Sequence, residues 1–302
     1  MARIPHLGPM SPRSDLPTAA QATLMPACEV LPTEGAVSPV IFASPHSGTH
    51  YPEDLLADLQ VPLMDLRRTE DAFVDQLFLP NGPREGTRIY ANYARAYVDL
   101  NRDARELDPT MFADGVPRTC GLASARVRAG LGCLPRVGAS GRQIYAGPLS
   151  RAEGAHRLDH VYDGYHGTLS AQLEVLKRDW SDPILIDCHS MPSVQPGRGS
   201  LPDIVLGDRF GSSCNGRLTG LVERSFRRNG LGVVRNAPYA GGYTTRQYGR
   251  PKRGVHVLQI EINRGLYMNE LTIERTSGFE ALQPIIADII AEITAFALRE
   301  NG

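Results

Sequence analysis

Several residues of this chain carry chemistry where core-forming runs end or should stay apolar. In "VIFASPHSGTH" the run from Val40 to Ala43 gives way to His46 and His50. "PILIDCHS" ends in Asp187 and His189, "VDLNR" in Asn101 and Arg102, and "VLQIEINR" holds Glu261 inside an apolar stretch. Taken alone, a histidine after such a run is most often a hydrogen-bonded structural residue. A carboxylate inside one is harder to explain that way, because a buried charge is costly unless it is paired or bound to a metal. The ordinary explanation for Glu261 is a buried ion pair with Arg264 or Arg102.

Together these groups suggest a catalytic zinc site. Such a site takes three protein ligands from His, Asp and Glu and keeps one position open. It also needs a carboxylate nearby to carry a proton. His46 and His189 supply two nitrogens, so the third ligand should be acidic. The segment "TEDAFVD" offers Glu70, Asp71 and Asp75, with Asp71 and Asp75 four residues apart on one face of an expected helix. Glu261 is then the general base and acid.

These groups need rigid elements to hold them. "SPVIFASP", "PILIDCHS", "PDIVLGD", "LGVVRN" and "VHVLQIEINR" read as strands, and "RIYANYARAYVDLNR" as one or two more. The spacing of Leu63, Leu66, Phe73, Val74, Leu77 and Phe78 predicts one helix starting near Pro62. A long helix is expected over 150–180, capped by Ser150 with Glu153 three residues on. Another is expected over 214–229, closed by Asn229-Gly230, and an amphipathic one over the last 25 residues. Residues 103–148, rich in Gly, Pro and Arg, read as long shaped loops. The Gly/Tyr loop 238–250 reads as a lid or a rigid turn, with Gly241 and Gly242 permitting motion. Strands alternating with helices predict an α/β sheet covered on both faces, with its ligand site beyond the carboxyl ends of the strands.

The 302 residues carry 32 basic and 33 acidic side chains, a net charge of -1 that argues against a nucleic-acid surface. Cys28, Cys120, Cys133, Cys188 and Cys214 form no CxxC pair. That fits reduced thiols in a cytoplasmic protein better than a zinc ribbon or a disulfide scaffold. No secretory leader and no run of transmembrane length is expected, hence no membrane partner. Residues 1–27 read as a loose arm and 28–302 as a single catalytic domain.

The motifs "ASPHSG", "EDAFVD", "VDLNR", "RAGLG", "IDCHSMPS", "DIVLGDRFG", "PYAGGYTTRQYGRP" and "LQIEINRGLYM" together resemble the N-formylglutamate amidohydrolases, over about residues 28 to 295. The resemblance implies an α/β fold of phosphorylase/hydrolase-like type, a three-layer doubly wound mixed sheet related to the zinc carboxypeptidases and aspartoacylases. It implies hydrolysis of N-formyl-L-glutamate to formate and L-glutamate, in histidine degradation. It also implies one zinc per chain, other divalent metals being compatible, on His46, His189 and Asp71, with Glu70 as the substitute. Zinc carboxypeptidases place a glutamate three residues after the first histidine, where this chain has Thr49. Glu261 resembles their general base, and Asn101-Arg102 their substrate-carboxylate pair. A substrate with two carboxylates wants two basic partners, for which Arg102, Arg126, Arg128, Arg246 and Arg264 are candidates, with Tyr243 of the Gly/Tyr loop as a further contact. Arg102 or Arg128 would help hold the oxyanion. The alternatives are another N-formyl or N-acyl amino acid as substrate, or a zinc carboxypeptidase-like peptidase. A homo-oligomer is compatible with the sequence. His50, His156 and His160 are expected to be bystanders, and His166 a residue supporting the site or its substrate.

Overall fold

A computed structural model describes residues 24–31, 38–78, 85–121, 123–195 and 197–302. Of the arm expected over 1–27, residues 1–23 lie outside them. Seven strands form the main sheet: β1 (Cys28–Leu31), β2 (Val40–Ser44), β3 (Thr87–Ala91), β4 (Ile184–Met191), β5 (Ile204–Gly207), β6 (Val233–Arg235) and β7 (His256–Asn263). Their order is β1-β3-β2-β4-β7-β5-β6. The four central strands β3, β2, β4 and β7 run parallel; β1 pairs antiparallel with β3 and β5 antiparallel with β7, while β6 pairs parallel with β5. The sheet is therefore mixed, with a parallel centre.

Every residue of β2, β4 and β7 is buried, as expected of parallel strands covered on both faces. Successive side chains leave opposite faces. Ile41, Ala43, Leu185 and Val257 enter one apolar cluster, with Leu158, Val161, Tyr165 and Leu169. Val40, Phe42, Ile186, Leu258 and Ile260 enter the other, with Leu218, Val222, Ile286 and Ile290. The register sets Asp187 beside Gln259 and His189 beside Glu261. Four polar side chains thus form a two-by-two array on one face at the carboxyl end of the sheet.

The helix expected over 150–180 forms as Arg151–His156, a π-helical turn Arg157–Tyr162, and Asp163–Asp179. Ser150 and Glu153 make the reciprocal capping box. Gly216–Arg228 ends before Gly230, whose φ is 80°. The last helix, Ser277–Asn301, has the length and mean hydropathy (1.6) of a membrane span, which corrects the expectation that no such run exists. Here Phe279, Leu282, Ile286, Ile289, Ile290 and Ile293 of that helix are buried in the second cluster.

Three further sequence expectations are corrected. The single helix from Pro62 is two short ones, Leu63–Arg67 and Val74–Leu77. Between them the Asp71 N–H donates to the His46 carbonyl at 3.0 Å, and Phe73 adopts a left-handed φ of 65°. The tertiary bond to His46 wins over local helix continuation, so Asp71 and Asp75 share no helix face. "VDLNR" is a turn rather than a strand end: residues 98–102 pair with no strand among the described residues, although Val98, Asp99, Leu100 and Asn101 are all buried. The Gly/Tyr loop contains a short helix, Tyr243–Tyr248.

Candidate metal centre and cleft

Three chain segments deliver three ligating groups to one point. His46 follows β2 across Pro45, His189 lies near the end of β4, and Asp71 sits in the helix break. Their ligating atoms lie within 4.8 Å of one another, and all three residues are buried. His189 Nδ1 is 2.8 Å from Asp71 Oδ2, and His46 Nδ1 is 3.3 Å from the same oxygen. The opposite ring nitrogens meet carboxylates. His46 Nε2 lies 2.8 Å from Asp99 Oδ1, and His189 Nε2 lies 3.1 Å from Asp187 Oδ1. That carboxylate behind each imidazole is the arrangement that orients a metal-binding histidine and makes it more basic.

The residues fit a cation by a direct test. His46 Nδ1 is buried yet, apart from the 3.3 Å approach of Asp71 Oδ2, which does not make a hydrogen bond, it has no partner among the described residues, a costly state for a polar atom unless something else fills it. Two imidazoles and a carboxylate are also the donor set and count of a catalytic zinc site. The electrostatics agree. Burial alone would raise the Asp71 carboxyl, but the imidazoles of His189 and His46 hold it well below its ordinary value. At Asp99 burial is likewise outweighed, here by Arg102, Arg95 and His46. Burial disfavours a charged His189, yet Asp187, Asp71 and Glu261 hold it well above the usual imidazole range. A field that favours a proton at this spot favours any cation there.

Glu261 projects beside His189, with Oε1 accepting from Gln259 Nε2 at 2.7 Å. Burial drives its carboxyl up to about 8; His189 opposes the rise, and Asp71 adds to it. That value suits a group that must take and return a proton near neutrality.

Both histidines, Asp71 and Glu261 line a cleft of about 710 Å³. Asn101 is fixed by Thr244, whose N–H donates to its Oδ1 at 2.9 Å, and its Nδ2 lies 3.0 Å from His189 Nε2. Arg102 reaches Asp99 only at 3.7 Å, because Arg95 already takes Asp99 Oδ2 with two bonds of 3.1 and 3.0 Å. Arg126 lines the same wall and has no acidic partner among the described residues. Its charge depresses the Arg102 guanidinium, after burial and alongside Arg95. Arg264 lines the cleft too, but its donors are committed to Ser190 Oγ, the Arg68 carbonyl and Asp71 Oδ1.

Four sequence candidates fall outside the cleft lining. Glu70 is buried but turned toward Tyr51 and Arg67. Arg128 bonds the Ala123 carbonyl, and Arg246 is more than half exposed beside Asp103. Tyr243 packs on His166 and Tyr162, where His166 Nε2 lies 2.9 Å from the Leu100 carbonyl. His50 meets Tyr93 edge to face, and His156 stacks on His160. Sequence reasoning missed Arg95, Asp99, Gln259 and Tyr239. Asp99 was detectable inside "VDLNR", with Arg95 four residues before it; Gln259 was detectable as the second polar residue in "VLQIEI".

The family model for N-formylglutamate amidohydrolase matches residues 38–268. An N-formylglutamate deformylase from Pseudomonas aeruginosa is 29% identical over 89% of this chain and 97% of its own length. One from Pseudomonas putida is 29% identical over 77% of this chain and 82% of its own. The crystal structure of the N-formylglutamate amidohydrolase from Ralstonia eutropha JMP134 superposes with a TM-score of 0.84 at 35% identity, covering 90% of this chain and 99% of that one.

Proposed function

The chain belongs to the N-formylglutamate amidohydrolase family, and from that membership we propose that it hydrolyses N-formyl-L-glutamate to formate and L-glutamate with one zinc ion per chain. The observation that carries this reading is the convergence of His46, His189 and Asp71 beside Glu261 on the floor of one cleft. His46 Nδ1, His189 Nδ1 and an Asp71 oxygen would hold the ion. Zinc bound there would polarise the formyl carbonyl and lower the pKa of a coordinated water toward ~7.

The chain's own groups do the rest. Glu261 Oε2 has no protein partner among the described residues, so it is the oxygen that takes the proton of the attacking water and returns it to the departing amide nitrogen. The proton must arrive, because a neutral amine leaves far more readily than its anion. Asp99 and Asp187 keep the two imidazoles oriented. Arg126, with no acidic partner among the described residues, and Arg102, whose carboxylate partner Asp99 is shared with Arg95, bind the carboxylates of the glutamate half, with Asn101 beside them. We read the fold as a three-layer, zinc-carboxypeptidase-related domain over residues 28–302. We place the reaction in the cytoplasm, where its five free cysteines would stay reduced, at the deformylation step of histidine degradation.

The test is formate release from a panel of N-formyl and N-acetyl amino acids, with metal content measured on the same protein. Turnover of N-formylglutamate well above N-formyl neutral amino acids is expected. Activity confined to another acyl amino acid would displace the substrate assignment. Release of carboxy-terminal residues from peptides would favour a peptidase.

A further inference from the structure

We propose that Gln259 is a positioning residue that wires the cleft-facing segment 238–249 to the carboxylate of Glu261. The inference rests on Glu261 as the proton carrier and adds what sets its orientation.

Gln259 is buried, two residues before Glu261 on the same face of β7. Its amide is engaged at both ends. The Gly242 N–H donates to Gln259 Oε1 at 2.7 Å, and Gln259 Nε2 donates to Glu261 Oε1 at 2.7 Å. An isolated glutamine amide can sit either way round. Here the Gly242 N–H demands an acceptor, which forces the oxygen toward the loop and the NH2 toward Glu261. The carboxylate is then gripped by one oxygen, and the other is left to the cleft. A flipped amide would present its oxygen to Glu261 and repel the carboxylate.

The loop end of the relay is itself held in place. A Cβ on Gly242 would lie 2.4 Å from both polar side-chain atoms of Asn101, so only glycine lets the backbone come that close. Two residues later, Thr244 N–H bonds Asn101 Oδ1. Thr245 Oγ1 donates back to the Gly242 carbonyl at 2.9 Å, holding the peptide that follows the N–H facing Gln259. Tyr239, Ala240, Gly241 and Gly242 line the cleft. The segment that meets a bound substrate is therefore the one that sets the rotamer of the proton carrier.

The experiment pairs kinetics with amide exchange on the full chain. Gln259→Met keeps size and removes both hydrogen-bonding functions. A fall in kcat of ~10–100-fold is expected, the range for residues that act through a catalytic neighbour, with KM and zinc content near parental. In a Glu261→Gln background the same change should cost less than about twofold, since residues acting as one unit are not additive. Parental kcat in Gln259→Met, or a loss that persists in the Glu261→Gln background, overturns the proposal. Hydrogen exchange of the peptide spanning 238–249 should speed up in both Gln259→Met and Glu261→Ala. Unchanged exchange in either variant breaks the relay whatever the substrate. A parent inactive on every N-formyl amino acid defeats the functional reading alone, leaving the exchange result to decide the wiring.

Discussion

Replacing Asp99 by Asn tests the centre without touching a proposed ligand. Asp99 Oδ1 faces His46 Nε2 at 2.8 Å and also accepts the Asn101 N–H at 3.0 Å. Its Oδ2 accepts two bonds from Arg95. Both oxygens are therefore pure acceptors, and an amide can replace only one of them. In the first orientation the carbonyl oxygen stays at His46 and the NH2 confronts two N–H donors of Arg95. In the second, Arg95 is satisfied and the NH2 donates to His46 Nε2. His46 must then carry its proton on Nδ1, the nitrogen that faces Asp71 and has to be bare to hold a metal. The second orientation costs the metal outright, and the first leaves Arg95, 26% exposed, partly rescued by water. Zinc affinity should fall by about 10–100-fold, roughly 1.4–2.7 kcal/mol, measured by competition with a chromogenic chelator. Asp99→Ala, which also abolishes the Arg95 pair, should be at least as weak. Parental zinc affinity in Asp99→Asn would refute both the His46 ligand assignment and the tautomer argument behind it.

Glu261→Gln should retain zinc and lose ~10²–10⁴-fold in kcat, the usual worth of a positioned base; near-parental turnover removes Glu261 from the chemistry. Arg126→Ala should raise KM for N-formylglutamate more than for N-formyl amino acids with neutral side chains. It should leave the melting temperature unchanged, since Arg126 has no acidic partner among the described residues. His166 gives a pH-dependent stability. Burial holds its imidazole down at about 4, against ~6.5 when unfolded. Between those values only the unfolded chain takes the proton, so stability is full above pH ~6.5, falls as pH drops, and levels off below pH ~4. About 3 kcal/mol is at stake. Urea titrations of His166→Gln should lose that slope; an unchanged pH profile would place the acid sensitivity elsewhere.

The framework was legible in the sequence wherever local chemistry and global packing agree. β2, β4 and β7 are apolar runs of strand length, and Ser150 with Glu153 announces a helix start by its own hydrogen bonds. The two histidines and Glu261 stood out because each interrupts such a run. Legibility failed where a distant partner decides. Nothing between Leu63 and Phe78 tells a reader that the Asp71 N–H is owed to the His46 carbonyl, so the periodicity there read as one helix. "VDLNR" looked like a strand end because it closes the run "RIYANYARAYVDLNR", but the chain there turns inward and its buried residues pair with no strand among the described residues. Arg95 and Gln259 lie close to their partners in sequence, four and two residues away, but their link to the site shows only once the fold brings Asp99 to His46 and Gly242 to Gln259. Asp71 and Glu70 are adjacent in sequence, and only the backbone after the break turns one toward the histidines and the other toward Tyr51.

The bond between the Asp71 N–H and the His46 carbonyl has a consequence for loop entropy. The proposed metal would tie together His46 and His189, 143 residues apart along the chain (189 − 46), a closure that in a small zinc module the ion itself must enforce. In this chain the parallel pairing of β2 with β4 and that one backbone bond have already closed the loops. The ion would find its donors assembled, so removing it should leave a folded apo protein. Its contribution to stability would then be that of any ligand binding a finished site, set by its free concentration and affinity.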